Sequence, residues 1–416
     1  MINFSKANMS TNTDHPHLPP GVPSWIVPLL AVSVGVIAAN LYYAQPLIAL
    51  IAKSLKLSPS VAGLVTTLTQ MGYGLGVLLI VPLGDLLENR KLILTMLSLA
   101  VVALLGLAFS TQLVPYFIAA FLVGVGASAV QIIVPYSAHL AHESVKGRVV
   151  GNLMSGLMLG IMLSRPIASF LTDLFSWHAV FLLSAGLMLV LTIILYRFLP
   201  ARKPASTNLK YRELIASMIH LLLNTPVLRR RAIYQAFLFG TFCLFWTSVP
   251  LYLSGPAYNF SQTGIAFFAL AGIAGAVVAP LAGKYADKGM IQQATTVAMI
   301  SASLSFLLTH IFAPGSTMAL VFLVMAAILL DAGITANLVL GQRAIFSLNP
   351  EQRSRLNGLY VAVLFVGGAF GSMSGAWAYA HGGWTMTSYI GFGLPVCALL
   401  YFSTEFLPYL IKSSRE

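Results

Sequence analysis

The chain contains few charged residues, and this scarcity separates it from water-soluble proteins. Of its 416 residues only 8% are Asp, Glu, Lys or Arg, whereas 58% are hydrophobic and the mean hydropathy is +0.86. A chain of this composition cannot cover a folded surface with polar groups, so a soluble globular fold is excluded. A lipid bilayer is its expected solvent.

Cysteines and catalytic motifs are also scarce. Cys243 and Cys397 both fall within apolar runs, which argues against a disulfide framework and favours ordinary packing. The sequence has no phosphate-binding glycine loop, nucleophile elbow or ATP-binding motif. We therefore predict a protein that is not an enzyme, needs no cofactor and draws its energy from gradients. His139, His142 and Glu143 lack a third convergent ligand, so no metal site is expected.

Long uncharged runs dominate the sequence instead. They cover 24–52, 57–84, 92–142, 232–283, 289–330 and 356–404. A spanning helix needs only about 20 such residues, and turn-forming residues divide the longest runs. We predict an all-α membrane protein with twelve spans at 25–50, 60–83, 91–110, 115–139, 149–172, 178–199, 231–253, 261–283, 290–311, 317–343, 355–379 and 385–410.

A repeat at an offset of 207 residues divides the chain into two similar halves. Its members are Gly126, Arg148, Gly151, Gly160 and Trp177 in the first copy, and Gly333, Arg355, Gly358, Gly367 and Trp384 in the second. Doubled membrane modules of this kind are typical of transporters. We predict two pseudo-symmetric six-helix bundles, at 25–199 and 231–410, with a linker at 200–230 and cytosolic tails at 1–24 and 411–416.

The distribution of positive charge predicts the orientation. With both termini in the cytosol, all but three of the 23 Lys and Arg residues lie on cytosolic segments. The exceptions are Lys53, Lys56 and the intramembrane Arg165. Basic residues near helix ends resist translocation, so this arrangement is the favoured one. The net charge of +12 follows from this bias, and nucleic acid is not an expected partner.

The linker is the one long polar stretch after the N-terminal tail. Within it Leu214, Ile215, Met218 and Leu222 recur at helical spacing with polar residues between them, which predicts an amphipathic helix on the cytosolic surface. Thr225 and Pro226 are typical of the N-cap and first residue of the next helix. We favour a tether between the bundles over a regulatory site.

Two loops carry related patterns of charged residues. Residues 82–91 read Pro-Leu-Gly-Asp-Leu-Leu-Glu-Asn-Arg-Lys, and residues 283–289 read Gly-Lys-Tyr-Ala-Asp-Lys-Gly. Both resemble the Gly-x-x-x-Asp-Arg-x-Gly-Arg-Lys signature of the major facilitator superfamily, although Leu86 stands where a basic residue is usual. The resemblance implies a secondary transporter with the twelve-helix major facilitator fold.

The resemblance also implies a role for the charged residues of these loops. In the family they close the cytosolic side, and a carboxylate at a helix end is stabilised by the positive end of a neighbouring helix. By pseudo-symmetry, Asp85 should meet the start of the eleventh span, near Arg353 and Arg355, and Asp287 should meet the start of the fifth span, near Arg148. The predicted cytosolic gate consists of Asp85, Arg90, Lys91, Arg148, Asp287, Lys288 and Arg355. The alternative is that these residues act only as topology signals.

Small residues recur in the fifth span at a spacing of four, with Gly156, Gly160 and Ser164 before Arg165 and Pro166. The pattern resembles the Gly-x-x-x-Gly-x-x-x-Gly-Pro signature of twelve-helix bacterial drug and metabolite proton antiporters. Small residues four apart also let helices pack closely, and the eleventh span repeats the spacing. Export and plain packing therefore both remain open as explanations.

Asp331 is the strongest candidate for a functional residue. It lies near the middle of the tenth span, about 18 Å from the cytosolic end at 1.5 Å per residue. A carboxylate there costs roughly 2.5–3.5 kcal/mol on insertion scales, so it must face a cavity, find a partner or hold a proton. We expect Asp331 and Arg165 to couple transport to proton movement. The alternatives are a permanent bridge between them, or no contact.

In the family, the first, fourth, seventh and tenth spans line a central cavity. In this chain those spans carry amides and phenols among aromatic residues, which suit a moderately apolar ligand held by a few directional bonds. The predicted substrate cavity consists of Asn40, Tyr43, Gln45, Gln131, Tyr136, Tyr234, Gln235, Trp246 and Asn337. For each aromatic member, packing or contact with lipid is the alternative.

These features predict a secondary transporter of the bacterial inner membrane that exports a small, partly apolar compound or metabolite in exchange for protons. Its predicted partners are the substrate, protons and the lipid bilayer, and we expect a monomer. One alternative is a proton-coupled importer or facilitator of a polar metabolite such as a sugar or organic acid. Another is a membrane receptor, but a static receptor would not need the doubled loops.

Overall fold

The computed structural model of the protein describes residues 25–142, 145–204, 210–348 and 352–405. The predicted tails at 1–24 and 411–416, and Glu143, lie outside these residues. The α-helices are α1 (Ile26–Ala39), α2 (Ile48–Ser54), α3 (Leu64–Leu79), α4 (Asn89–Phe109), α5 (Leu113–Ala127), α6 (Val130–Leu140), α7 (Lys146–Leu174), α8 (Trp177–Phe198), α9 (Tyr211–Asn224), α10 (Pro226–Ser254), α11 (Gln262–Ala269), α12 (Ala274–Asp287), α13 (Ile291–Leu308), α14 (Thr317–Phe346) and α15 (Arg353–Ser403). Short 3₁₀ turns lie at Pro59–Val61, Val81–Asp85 and Leu270–Ile273.

Within the described residues, ten helical segments are long and apolar enough to cross a membrane. One of them, α15, has 51 residues and crosses twice, because the backbone angles at Gly382 and Gly383 are not helical. Gly383 has a φ of 59°, a conformation that favours glycine. The apolar α1 and the short α2 together supply another span. The prediction of twelve spans in an all-α fold is confirmed.

The repeated small residues bring the backbones of paired helices into contact. A methyl group added at Gly160 of α7 would collide with the backbone of Gly35 on α1, and one at Gly367 of α15 would collide with Ala236 on α10. Gly160 and Gly367 occupy equivalent positions of the 207-residue repeat. The same close helix crossing therefore occurs in both halves, as expected for small residues at a membrane helix interface.

Three spans are interrupted near the middle of the bundle. The first breaks at residues 40–47, between α1 and α2, a stretch that includes Pro46. The fourth breaks between α5 and α6, where the Ser128 hydroxyl donates to the Val125 carbonyl at 2.7 Å. The eighth narrows to the 3₁₀ turn at Leu270–Ile273, between α11 and α12. Irregular backbone at this depth is tolerated only where it is buried in protein or lines a cavity.

Helix α9 lies between the two bundles at one end, which we call the linker side; the opposite end is the far side. It buries Leu214 and Met218. The Tyr211 hydroxyl donates to the Leu79 carbonyl of the first half at 2.7 Å, and Arg355 of the second half donates to Ser217 at 3.5 Å. The linker helix therefore contacts both bundles.

The two halves meet on the far side. The Thr263 hydroxyl at the start of α11 donates to the Asp173 carboxylate near the end of α7. Thr67 of α3 donates to the Ala369 carbonyl of α15 at 3.2 Å. These contacts close the far side in this state.

A short cross-link should hold this closed state. In a chain with Cys243→Ala and Cys397→Ala, the pair Asp173→Cys and Thr263→Cys is expected to react with a short, cleavable bifunctional thiol reagent, because the native side chains are hydrogen-bonded. We expect complete loss of the predicted transport activity and its recovery after cleavage, with mass spectrometry reporting the linked peptides. Asp173→Cys alone is the matched control. Full transport by the fully linked protein would contradict a far side that must open.

Candidate functional site

A cavity of about 380 Å³ lies between the two halves. Its walls reach from Arg165 and Asp331, deep in the bundle, to Val150 near the start of α7 and Phe346 at the end of α14. The cavity therefore extends toward the linker side, whereas the far side is closed. Both halves contribute about equally to its lining, which suits a site that changes access as the halves move.

Arg165 and Asp331 face each other across the inner end of this cavity. The two residues are only 2% and 4% exposed. Asp331 Oδ1 accepts a hydrogen bond from Trp246 Nε1 at 3.0 Å, and Arg165 Nε donates to Gln45 Oε1 at 2.9 Å. Among the described residues they do not pair with each other within 4.0 Å. The predicted pair is thus brought together but not joined.

Aromatic rings surround the Arg165 guanidinium. Its central carbon lies 4.3 Å from the centre of the Trp246 ring, 4.8 Å from that of Phe242 and 5.3 Å from that of Tyr42. The negative faces of such rings attract a cation, most strongly where water is excluded. This environment explains how an arginine can lie inside the bundle without a carboxylate in direct contact.

Gly272 keeps the space between the two charges clear. A Cβ atom at this position would lie 3.0 Å from Asp331 Oδ2 and 3.5 Å from Arg165 Nη1. Gly272 belongs to the 3₁₀ turn that interrupts the eighth span, and the interrupted stretch of the first span carries Tyr42 and Gln45. Two helix breaks therefore meet at the charged end of the cavity.

A chain of hydrogen-bonded polar side chains crosses the cavity wall. Gln342 donates to Asn357 at 3.3 Å, Asn357 donates to Gln131 at 3.3 Å, and Gln131 donates to the Tyr73 hydroxyl at 3.0 Å. All four residues line the cavity. Because Gln342 and Asn357 belong to the second half and the other two to the first, the chain joins the halves.

Five of the nine predicted cavity residues lie in the cavity wall or directly behind it. Gln131 and Gln235 line the cavity. Gln45 and Trp246 lie directly behind it, where Gln45 is hydrogen-bonded to Arg165 and Trp246 to Asp331. Asn337 donates a hydrogen bond to Gln235 at 2.7 Å.

The other four predicted members lie elsewhere, where nearby groups satisfy most of them. Asn40 accepts from Ser184 at 2.6 Å, Tyr136 donates to the Pro200 carbonyl at 2.6 Å, and Tyr234 donates to Glu405 at 2.8 Å. Tyr43 borders a separate groove between α1 and α7. Their polar groups have structural partners, which the sequence of a single span does not reveal.

Several lining residues were not predicted from the sequence. Met154, Met158 and Met162 form one wall at a spacing of four along α7, and Asn357 and Phe365 of α15 form another. The methionine spacing is a signal that the sequence does carry, since flexible thioethers are common at adaptable binding surfaces. Asn357 could not be found this way, because the predicted cavity used only the first, fourth, seventh and tenth spans.

The predicted gate residues are found on the linker side. Asp85 borders a small cavity of about 100 Å³ that also touches Ser354, and it lies within electrostatic range of Arg355. Arg90 donates to the Tyr196 carbonyl within the first half. Across this small cavity, Asp85 therefore faces the start of α15 in the second half.

Asp287 forms an ion pair with Arg343 at 3.1 Å, between α12 and α14 of the second half. Lys91 pairs with Glu88 at 3.4 Å, and Lys288 lies 5.9 Å from the Tyr285 ring centre. Arg148 lies in the first turn of α7. The contact between Asp287 and Arg148 across the halves, and the gate as a whole, stay predictions.

Known proteins with similar sequences are transporters. The chain is 37% identical over 375 residues to the uncharacterized transporter YgaY of Escherichia coli O157:H7, covering 90% of this chain and 94% of that protein. It is 32% identical over 364 residues to the "Probable transporter SCO4007" of Streptomyces coelicolor, covering 86% and 82%. Sequence similarity therefore extends over both halves.

Solved structures with the same fold are also transporters. The nucleoside transporter NupG has a TM-score of 0.75 at 12% identity, with 91% of this chain and 100% of that chain covered. A bacterial homolog of the human lysosomal transporter Spinster, inward-facing and unoccupied, has a TM-score of 0.71 at 14% identity, with 91% and 96% covered. At such identities the likeness shows the fold alone.

The family model of the Major Facilitator Superfamily matches residues 30–339, which is most of the chain. Together with the two bundles, the cavity between them and the transporter relatives, this match shows that the chain belongs to the major facilitator superfamily and is a membrane transporter, not an enzyme.

Proposed function

We propose that this transporter exports a small, partly apolar compound in exchange for protons, and that its linker side faces the cytosol of a bacterial inner membrane. The observation that carries the proposal is the placement of Asp331 and Arg165, which border one cavity but do not pair. A carboxyl in direct contact with an arginine would stay charged, whereas a carboxyl in a cavity can take up and release a proton as access changes.

The lining of the cavity supports a partly apolar substrate. Apolar side chains from both halves form most of its walls, and the polar chain from Gln342 to Tyr73 offers a few directional contacts. Pockets of this kind bind the apolar body of a ligand and orient it through a small number of polar groups.

The direction of transport follows from orientation and access. The basic residues cluster on the linker side, which favours placing that side in the cytosol. The cavity extends toward this side, whereas the far side is closed, so we assign uptake of substrate from the cytosol to the state described here. Opening of the far side, with loss of the bond between Thr263 and Asp173, would then release it. Proton binding to Asp331 from the far side would reset the cycle.

Proton flux in everted membrane vesicles tests this function. An energised vesicle with an acidic lumen should lose its pH gradient, reported by a fluorescent dye, when a compound that stabilises the purified transporter is added. Vesicles without the transporter provide the control. If compounds that bind the purified protein leave the pH gradient unchanged, the proposal of proton exchange is wrong. Accumulation of the labelled compound by energised whole cells would instead identify an importer.

A further inference from the structure

The inner end of the cavity presents two opposite charges that are available to a ligand. Asp331 Oδ2 lies 3.0 Å, and Arg165 Nη1 lies 3.5 Å, from the position that a Cβ atom on Gly272 would take. Asp331 uses Oδ1 for its bond to Trp246, and its Oδ2 has no hydrogen bond among the described residues. One acceptor and one cation therefore border the same small space.

Two buried donors at this place have no partner. Arg165 Nη2 and Gln45 Nε2 are both buried, and neither has a hydrogen-bond partner in the described part of the chain. Gln45 is held against Arg165 through its other amide atom, Oε1. A buried donor left unpaired is costly. Because Arg165 also lines the cavity, a ligand with an acceptor group would complete the bonding of its guanidinium.

The two charges together restrict the ligand. A ligand with only a positive charge would bind Asp331 but would lie beside the Arg165 guanidinium, which repels it in a medium of low dielectric constant. A ligand with only a negative charge would meet the converse repulsion from Asp331. A molecule with a cationic donor next to an anionic acceptor satisfies both residues and leaves the site electrically neutral.

We infer that the transported compound is an apolar zwitterion, with an ammonium group that binds Asp331 and a carboxylate that binds Arg165. Its apolar body would lie against Met158, Phe239 and neighbouring lining residues. The inference rests on the proposed function in taking this cavity as the transport site. It also deepens that function, because the ammonium group and a proton would compete for the same carboxylate oxygen.

Matched sets of ligands test this inference on the purified full chain in detergent. Each set contains a zwitterion, its amine without the carboxylate and its acid without the ammonium group. Suitable sets are phenylalanine with 2-phenylethylamine and 3-phenylpropionate, leucine with isoamylamine and 4-methylpentanoate, and tryptophan with tryptamine and indole-3-propionate. For at least one set, we expect the zwitterion to bind at least about tenfold more tightly than either analogue, the size of one charge-assisted hydrogen bond.

Two variants assign the groups. In Arg165→Gln, the zwitterion and its amine are expected to bind alike, because the carboxylate has lost its cation. In Asp331→Asn, the zwitterion and its acid are expected to bind alike. The binding that each variant retains shows that its site is folded. The inference is wrong if no zwitterion binds more tightly than both of its analogues, or if the variants leave that preference unchanged.

The outcomes also separate this inference from the proposed function. Binding of zwitterions without loss of the pH gradient in vesicles would leave the ligand assignment standing and remove proton exchange. Proton exchange driven by another class of compound, without zwitterion binding, would support the proposed function and show that the ligand assignment is wrong.

Discussion

Asp331→Asn is expected to abolish substrate-driven proton release completely while the protein still folds. Asparagine has nearly the shape of aspartate and can still accept the hydrogen bond from Trp246 Nε1, which spans 3.0 Å in the native chain. It cannot bind and release a proton in the physiological range. Loss of the pH gradient in everted vesicles measures the effect, and the unfolding temperature of the purified variant measures the fold.

A matched control lies one turn along the same helix. Thr335 of α14 also lines the cavity, but its hydroxyl does not titrate in the physiological range. Thr335→Val should therefore change the affinity for the substrate without removing the exchange of protons. Normal exchange in Asp331→Asn, with a normal response in the control, would show that another group carries the proton.

Gly160→Leu is expected to prevent accumulation of folded protein. A side chain at this position has no room, because even a Cβ atom would collide with the Gly35 backbone on α1. Overpacking a core typically costs about 1–3 kcal/mol, and here the obstacle is backbone, which cannot move aside as a side chain can. The yield of monodisperse protein and its unfolding temperature measure the effect.

Gly186→Leu is the control for that substitution. Gly186 lies in the neighbouring α8, is exposed on the outer surface, and has no atom within 4 Å of the position of an added Cβ. The same change of residue should therefore be tolerated there. Equal yields of the two variants would contradict the close crossing of α1 and α7. Because Gly367 occupies the equivalent position in the second half, Gly367→Leu should behave like Gly160→Leu.

The fold could be predicted because its signals are long and repeated. Six long apolar runs, two related loops and a constant offset between equivalent residues all indicate the same architecture. Burial in a bilayer requires helices, since every backbone polar group must be satisfied within its own segment. The turn at Leu270–Ile273 is the break in regular helix that matters most for the charged site. The sequence marks it only by Gly272 within an apolar run.

The site could be predicted only in part, because the sequence does not show which face of a span meets the cavity. Asp331 and Arg165 were identifiable, since a charge at mid-membrane is costly wherever it points. Amides are less distinctive. Asn40 is bonded to Ser184 on another span, whereas Gln131 lines the cavity. No local pattern distinguishes these two cases, because the partner that satisfies each amide is more than 50 residues away in the chain.

The short helix α11 connects the charged site to the closed end of the transporter. Its first turn carries Thr263, which holds Asp173 on the far side, and its last residue runs into the turn that places Gly272 beside Asp331. Arg165 and Asp173 lie two turns apart on α7, about 12 Å along the helix axis. A ligand beside Gly272 would therefore lie between α7 and the turn that follows α11, the same two elements that Thr263 and Asp173 join on the far side. Binding of the ligand and opening of the far side would then depend on one pair of neighbouring elements.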